Sequence, residues 1–365
     1  MCIWVGWLAY SGYSVASIDF GILILYNDSA TISKSISQRN NKMATMKDVA
    51  KASGVSLITV SRVINTPQLV AEETRAKVET AMNRLGFLPN HAAKALAQKN
   101  TRTVHLYVPR FMGLSEPFMM NLIVGVSEEL SNAYYMFLIR RDLEFNQRCD
   151  GVIVTGLALN EENIFSEKLG VPFVLFGKTD RDIDCIDIDN EKGAYAMTEH
   201  ILSKGHRKIG FLMLNVNQRY AYERLGGYRR ALEDKGLAFD KNLVRYANPT
   251  EQDAYEKACE LFADGRTTAL FCCNDLLAVG AFRAAEKLNL KIPQDISITG
   301  FDGLIFDLLP KVPLTTVRQP VYEAGRALAA RLLDRLRNPE LPYEKTNILP
   351  ELIVRNSVGT ARTDL

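Results

Sequence analysis

The segment Met46-Lys-Asp-Val-Ala-Lys-Ala-Ser-Gly-Val-Ser-Leu-Ile-Thr-Val-Ser-Arg-Val-Ile-Asn65 gathers side chains suited to the edges and backbone of a nucleic acid duplex. Arg62 carries a fork of donors that matches the two acceptors of guanine in a major groove. Leu57 and Ile58 offer only apolar contact, of the kind a thymine methyl accepts. Thr59, Ser61 and Asn65 carry short polar groups suited to phosphate oxygens. The spacing alone is also compatible with a structural helical hairpin. Against that reading, Leu57 and Ile58 stand next to Arg62, where an idle surface would more often be polar.

Catalytic patterns fare worse. Gly177-Lys178-Thr179 has the ending of a phosphate-binding loop, but the glycine required five residues earlier is Pro172. No GxGxxG follows the first strand-like run, and neither GxSxG nor HExxH occurs. The six cysteines, at 2, 149, 185, 259, 272 and 273, show no CxxC, and with only four histidines a zinc site is not expected. Cys272 and Cys273 sit in an apolar run and read as buried thiols of a reducing compartment. The expectation is therefore a binding protein without cofactor or metal, and not an enzyme.

The elements that must position these residues follow from periodicity. Met46 to Ser53 reads as a helix closed by Gly54, and Ser56 is placed to cap a second helix carrying Val60 and Val63. Glu72 to Leu85 reads as a third, with Val78, Ala81, Met82 and Leu85 as its buried stripe and Gly86 and Pro89 beyond it. Two helices joined by a tight glycine-containing turn make a helix-turn-helix, whose second helix brings its early residues to base edges. Strand-like runs follow at Val104–Val108, Tyr134–Ile139, Gly151–Thr155, Phe173–Phe176, Ile209–Leu214, Ala269–Cys273 and Ile296–Gly300. Helical segments at Phe118–Ser131, Lys192–Ser203, Arg224–Lys235, Ala254–Ala263 and Asp275–Leu288 alternate with them. That alternation predicts doubly wound parallel sheets, and enough of them for two lobes.

Charge is unevenly placed. Residues 43–103 hold nine Lys/Arg against four Asp/Glu, on a chain whose overall formal charge is only +2. A basic module on a mildly acidic body suits a protein that offers one end to a polyanion. Residues 1–42 show no periodic pattern, no run long enough to span a bilayer and no secretory signal. They read as an over-extended gene start or a disordered extension, with the ordered chain beginning at Met43.

From Met43 to about Thr360 the chain resembles the lactose-repressor (LacI/GalR) family. The resemblance is carried by Met46–Asn65, Leu85-Gly-Phe-Leu-Pro-Asn90, Ser203-Lys-Gly-His-Arg-Lys-Ile-Gly210 and Arg224-Leu-Gly-Gly-Tyr228. Cys273-Asn-Asp275, Ile292-Pro-Gln-Asp-Ile-Ser-Ile-Thr-Gly-Phe-Asp302 and Pro313-Leu-Thr-Thr-Val317 extend it in the family's order. It implies that Asn90 to Gln98 form a hinge helix on operator DNA, with Leu96 wedged into a minor-groove step and Ala93 beside it. Lys94 stands where an Arg is common, which keeps the charge and loses the fork. The resemblance also implies an effector cleft between two lobes, with Arg224, Asn274 and Asp302 as polar contacts and Phe118, Phe301 and Gln319 near its walls. A donor fork, an amide and a carboxylate suit a polyhydroxyl ligand. Gly177 falls where many relatives offer an acidic side chain, so the ligand's contact there must differ.

The expected architecture is thus an α/β protein with an all-α headpiece at 43–89, a hinge and linker at 90–103, and a two-lobed periplasmic-binding-protein-like domain at 104–360. The first lobe is expected over about 104–205 plus part of 300–335. It should lack one covering helix near 140–150, where the connection is too short for a helical crossover. The expected function is cytoplasmic: a homodimeric repressor binds palindromic double-stranded operator DNA, with no membrane partner, under control of a small-molecule effector, a sugar. The alternatives are a regulator answering to a purine or another small metabolite, a sugar-binding transport component, and a sugar- or nucleotide-modifying enzyme.

Overall fold

The computed structural model describes residues 44–65, 67–87, 101–142, 148–159, 161, 169–263, 265–304 and 311–362. Residues 1–43, residues 90–100 expected as the hinge, and residues 143–147 of the 140–150 connection, on which several expectations fall, lie outside these. The chain divides into two compact units, one ending at Asn90 and the other beginning at His91.

In the first unit, α1 (Met46–Ser53) is opened by a reciprocal cap. Thr45 Oγ1 accepts from the Asp48 N–H at 3.4 Å, and Asp48 Oδ2 accepts from the Thr45 N–H at 2.8 Å. Gly54 ends the helix in the left-handed region at φ 70°, where a side chain would be strained. The chain then turns into α2 (Leu57–Asn65), whose first turn is capped as Ser56 Oγ accepts from the Thr59 N–H at 3.1 Å. With α3 (Glu72–Leu85) these helices close over Val49, Val60, Val63, Val78 and Ala81, all buried. Leu85 departs from the expected stripe. It is exposed at the last turn of α3, while Phe87 packs against the cluster instead.

The second unit holds the two sheets. The first runs β11-β5-β4-β3-β1-β2, all parallel, from β1 (Thr103–Tyr107), β2 (Met136–Arg140), β3 (Gly151–Val154), β4 (Phe173–Phe176), β5 (Asp184–Ile188) and β11 (Lys345–Ile348). One face is covered by α4 (Pro117–Asn132) and α9 (Val321–Arg337), packed over Val104, Leu106, Ile153, Val174 and Ile186. These helices touch closely because a Cβ at Gly125 would lie 2.2 Å from the Tyr322 carbonyl oxygen. The second sheet runs β7-β6-β8-β9, also parallel, from β6 (Ile209–Leu214), β7 (Val244–Ala247), β8 (Ala269–Cys272) and β9 (Ser297–Thr299). Around it stand α5 (Asn190–Ser203), α6 (Arg219–Asp234), α7 (Glu251–Phe262) and α8 (Asp275–Lys287). A short antiparallel pair, β10 (Thr316–Arg318) with β12 (Glu351–Ile353), completes this lobe.

The lobe boundary differs from the expectation. The helix α5 packs against α6, β10 and β12 of the second lobe, so the first lobe ends at Ile188 rather than near 205 and takes back α9 and β11. The chain therefore crosses between lobes around 188–190, 318–321 and 348–351. Strand β2 starts at Met136, because Tyr134 turns the chain at φ 58° and is itself exposed. None of the described residues between β2 and β3 is helical. On the sheet face opposite α4 and α9, Met136 and Leu138 of β2 are exposed by 63% and 46%.

Buried ions tie α9 to β5. Asp184, at the start of β5, accepts from Arg335 Nε and Arg331 Nε, each at 2.8 Å. Burial pushes the Asp184 carboxyl up, but the bonds from Arg335, the Glu344 N–H and Arg331 outweigh it and hold the group below its ordinary value.

Candidate functional site

A concave site with converging polar groups lies between the lobes, at the carboxyl ends of the parallel strands, where open α/β sheets place their ligands. Counted out to its open mouth, the space is about 1000 Å³. At its centre stands Arg224, from the second turn of α6, buried to 3% exposure. Its Nε donates to Asn190 Oδ1 at 2.9 Å, and its Nη1 donates to the Cys273 carbonyl at 2.7 Å and to Asp302 Oδ1 at 3.2 Å. The guanidinium carbon lies 3.8 Å from the Phe301 ring centroid and 5.1 Å from that of Tyr220, so the cation is held between two aromatic rings.

Asp302 is held in a conformation that L-residues rarely adopt, φ 115°. The neighbouring backbone fixes it there. Its N–H donates to the Val317 carbonyl at 2.8 Å, and its carbonyl accepts from the Gln319 N–H at 3.1 Å. Its Oδ1 accepts from Gln319 Nε2 at 2.6 Å as well as from Arg224. Strain of this kind, over-determined by its surroundings, marks a site rather than a loop. Burial raises the Asp302 carboxyl, against the opposing pull of Arg224 and Gln319. Behind it Asp275, at the start of α8, is pushed up to about 7 by burial and by Asp302. Asn274 caps α8, its Oδ1 accepting from the Leu277 N–H at 3.0 Å.

Of the six cleft residues expected from the sequence, Phe118, Arg224, Asn274, Asp302 and Gln319 line the space. Phe301 does not. It is fully buried beneath the Arg224 guanidinium and acts by supporting it. Arg224 is also less free than a donor fork on a wall would be, because Nε and Nη1 are spent on protein acceptors. Asp187, Asn190, Tyr220 and Glu223 line the cavity without having been expected. Asp187 is the penultimate residue of β5, Asp184-Cys-Ile-Asp-Ile188, a strand not expected from the sequence. Recognising that strand would have put Asp187 at a carboxyl end, facing the cleft. Phe118 pairs with Phe176, ring centroids 5.9 Å apart, on the first-lobe side.

In the headpiece, α2 buries Val60 and Val63 and turns Leu57, Ile58 and Arg62 outward, with Ile58 at 66% exposure. Thr59 Oγ1 lies 2.8 Å from Ser56 Oγ in the cap, and Ser61 is half-buried. The side chain of Asn65, and Ala93, Lys94 and Leu96, fall outside the described residues.

Comparison with known proteins agrees with this geometry. Residues 45–90 match the bacterial regulatory proteins of the lacI family, and residues 198–358 match the periplasmic binding protein-like domain. The HTH-type transcriptional regulator YvdE of Bacillus subtilis (strain 168) is 38% identical over 318 residues, covering 86% of this chain and 99% of the relative. The chain belongs to the LacI family of bacterial regulatory proteins. Another member, the HTH-type transcriptional regulator GalR of Escherichia coli (strain K12), is 34% identical over 335 residues, covering 87% of this chain and 96% of its own. Among solved structures, the lac repressor dimer bound to operator and the anti-inducer ONPF superposes with a TM-score of 0.72 at 25% identity, covering 87% of this chain and 100% of that one. The complex of the regulator CelR with cellobiose gives 0.66 at 29% identity, over 86% of this chain and 99% of that one. This LacI-family chain is accordingly a DNA-binding transcriptional regulator, with a helix-turn-helix headpiece and a two-lobed, parallel-sheet body.

Proposed function

We propose that the protein is a homodimeric, cytoplasmic repressor whose affinity for a palindromic operator is set by an uncharged sugar bound between the lobes. The carrying observation is the placement of polar groups on the lobe crossings. Asn190 opens α5 just after the first crossing, and Gln319 sits on the second, bonded to Asp302. A ligand bonded there senses the angle between lobes, and differential contact with two such angles is what shifts a conformational equilibrium. Donors and carboxylate acceptors beside the aromatic surfaces of Phe118 and Tyr220 suit a sugar, which presents hydroxyls at its rim and C–H groups on its faces. Relatives solved with cellobiose and with ribose support the same reading.

Leu57, Ile58 and Arg62 are assigned to base edges, and Thr59, Ser61 and Asn65 to the phosphate backbone. Ala93, Lys94 and Leu96 are assigned to the minor groove as a hinge segment. Exposed apolar side chains on α4 (Met120, Val124) and β2 (Met136, Leu138) supply surface for a two-fold partner, which a palindromic operator requires. A purine effector is the second reading. It is favoured by the Phe118–Phe176 ring pair, which offers a stacking wall, and by relatives named PurR at 32% identity.

A thermal-shift screen of the purified chain against ribose, galactose, glucose, maltose, cellobiose, adenine, guanine and hypoxanthine tests the assignment. At a hundred times its dissociation constant a ligand adds about 2.7 kcal/mol. Stabilisation by a sugar and not by a purine base supports the first reading, and the reverse result replaces it with the second.

A further inference from the structure

Asp187 presents its carboxylate to the cavity from the carboxyl end of β5, and the bond it receives is from the backbone N–H of Ile188. Among the described residues no side chain donates to it. The cations nearby are engaged elsewhere: Arg224 with Asn190, Cys273 and Asp302, and Lys178 with Glu223, 3.8 Å away. Burial, and then the Glu223 carboxylate, push the Asp187 carboxyl up to about 7. Across the sheet its neighbour is Gly177, since Phe176 pairs with Ile186 and the Gly177 N–H donates to the Ile186 carbonyl at 2.9 Å. A Cβ at Gly177 would meet nothing within 4 Å, so the space beside Asp187 is open.

A half-buried carboxylate without side-chain donors is a cost to the folded state. Such groups concentrate at sites where a ligand supplies the missing donors. Sugar hydroxyls are donors. The phosphate group of a phosphorylated sugar brings an anion in place of one hydroxyl donor, and beside Asp187 it would meet that carboxylate and Glu223, while Arg224 is bonded to protein acceptors and Lys178 lies 3.8 Å from Glu223.

We propose that Asp187 is a specificity-determining residue of the cleft, accepting hydroxyl hydrogens from an uncharged sugar and excluding that sugar's phosphorylated form. The proposal rests on the sugar reading above. The charged groups that face Asp187 are Arg219, Glu223 and Arg224 of α6, Lys178 after β4, and Glu116 and Asp302 on the other walls. In the empty site the carboxyl ionises near pH 7, and its ionised form is the acceptor. Affinity for the sugar therefore rises by up to about tenfold between pH 6 and pH 8.

The test is calorimetric titration of the full chain, as wild type, Asp187→Asn and Asp187→Ala. The titrants are ribose, glucose, galactose, maltose and cellobiose, with ribose 5-phosphate and glucose 6-phosphate as anionic counterparts. The expected result has three parts. At least one neutral sugar binds wild type, while the phosphorylated sugars bind at least tenfold more weakly than ribose and glucose. Both variants lose at least tenfold for the bound sugar and lose its pH dependence. Their unliganded melting temperature at pH 8 equals or exceeds that of wild type, which a merely structural carboxylate would not allow. Variants that bind the sugar within twofold of wild type, or a phosphorylated sugar that binds as tightly as its parent, overturn the assignment of Asp187. Failure of every neutral sugar to bind wild type overturns the sugar reading itself, and this proposal with it.

Discussion

Arg224 and Asp302 are joined at 3.2 Å, Nη1 to Oδ1, and each is held in place by a further group of the site. Phe301 lies under the guanidinium, and Gln319 from the lobe crossing bonds the carboxylate. The pair therefore links the floor of the second lobe to a segment that must move when the lobes rotate. Asp302→Asn should keep the fold, since the amide retains an oxygen for Gln319 or Arg224, but should abolish the sugar-induced thermal shift. Differential scanning fluorimetry with and without the sugar decides this. A variant that fails to fold would show instead that Asp302 is there for the turn.

Asp275 gives a pH prediction of definite sign. Its unfolded value is near 3.9 and its folded value is raised to about 7 by burial and Asp302. The folded state thus holds a proton that the unfolded state has released, and this group's contribution to stability falls as pH rises from about 4 to about 7. Asp275→Asn preserves an acceptor for the N–H groups of Gly303 and Leu304, which bond Oδ2 at 2.8 and 3.2 Å. The difference in melting temperature, variant minus wild type, should grow with pH across that window. A difference that is constant or shrinks would show the carboxyl is not raised.

The Asp184–Arg335 pair predicts a stability loss unrelated to the cleft. Both side chains are nearly inaccessible, at 1% and 8%. Removing one partner strands the other charge in the interior, at about 3–5 kcal/mol. Asp184→Ala should therefore lower the urea midpoint strongly, and Arg331→Ala, whose side chain is more exposed, should lower it less. Equal and small effects would show that the ions are solvated.

Much of this was legible in the sequence because local signals and tertiary context agree there. The capping box of Thr45 and Asp48, Gly54 and Ser56 each specify their own turn, so α1 and α2 fall on the expected residues. Sheet strands with continuous apolar runs, such as Ile209–Leu214, were equally plain. The misses have physical causes. Strand β5 carries Asp184 on one face, bonded by arginines distant in sequence, and Asp187 on the other, at the cleft, and so lacks the apolar run of a buried strand. Helix α9 was not named among the helices although its apolar stripe is regular, while the return of part of 300–335 to the first lobe was expected and the first crossing was placed too late, near 205. Phe301 was expected near a wall only from the family resemblance. Only the positive φ of Asp302 turns the ring under Arg224.

Met136 and Leu138 of β2 are exposed on one sheet face. Strands with less cover open more readily. Backbone amides of β1–β3 should therefore exchange with deuterium faster than those of β6, β8 and β9. Equal protection in the isolated protein, checked at concentrations where it is monomeric, would show that this face is covered.

The central claim is that sugar bound between the lobes changes how the headpiece binds DNA. Its most direct test is fluorescence anisotropy of a palindromic duplex, selected from a random library with the full chain, titrated at fixed salt with and without the sugar found by thermal shift. We predict that saturating sugar changes the duplex dissociation constant at least fivefold, the low end of typical allosteric coupling. Arg62→Ala should weaken binding by about 1–3 kcal/mol while keeping the sugar response. Superimposable isotherms with and without sugar, for a protein that demonstrably binds both ligands, would contradict the account.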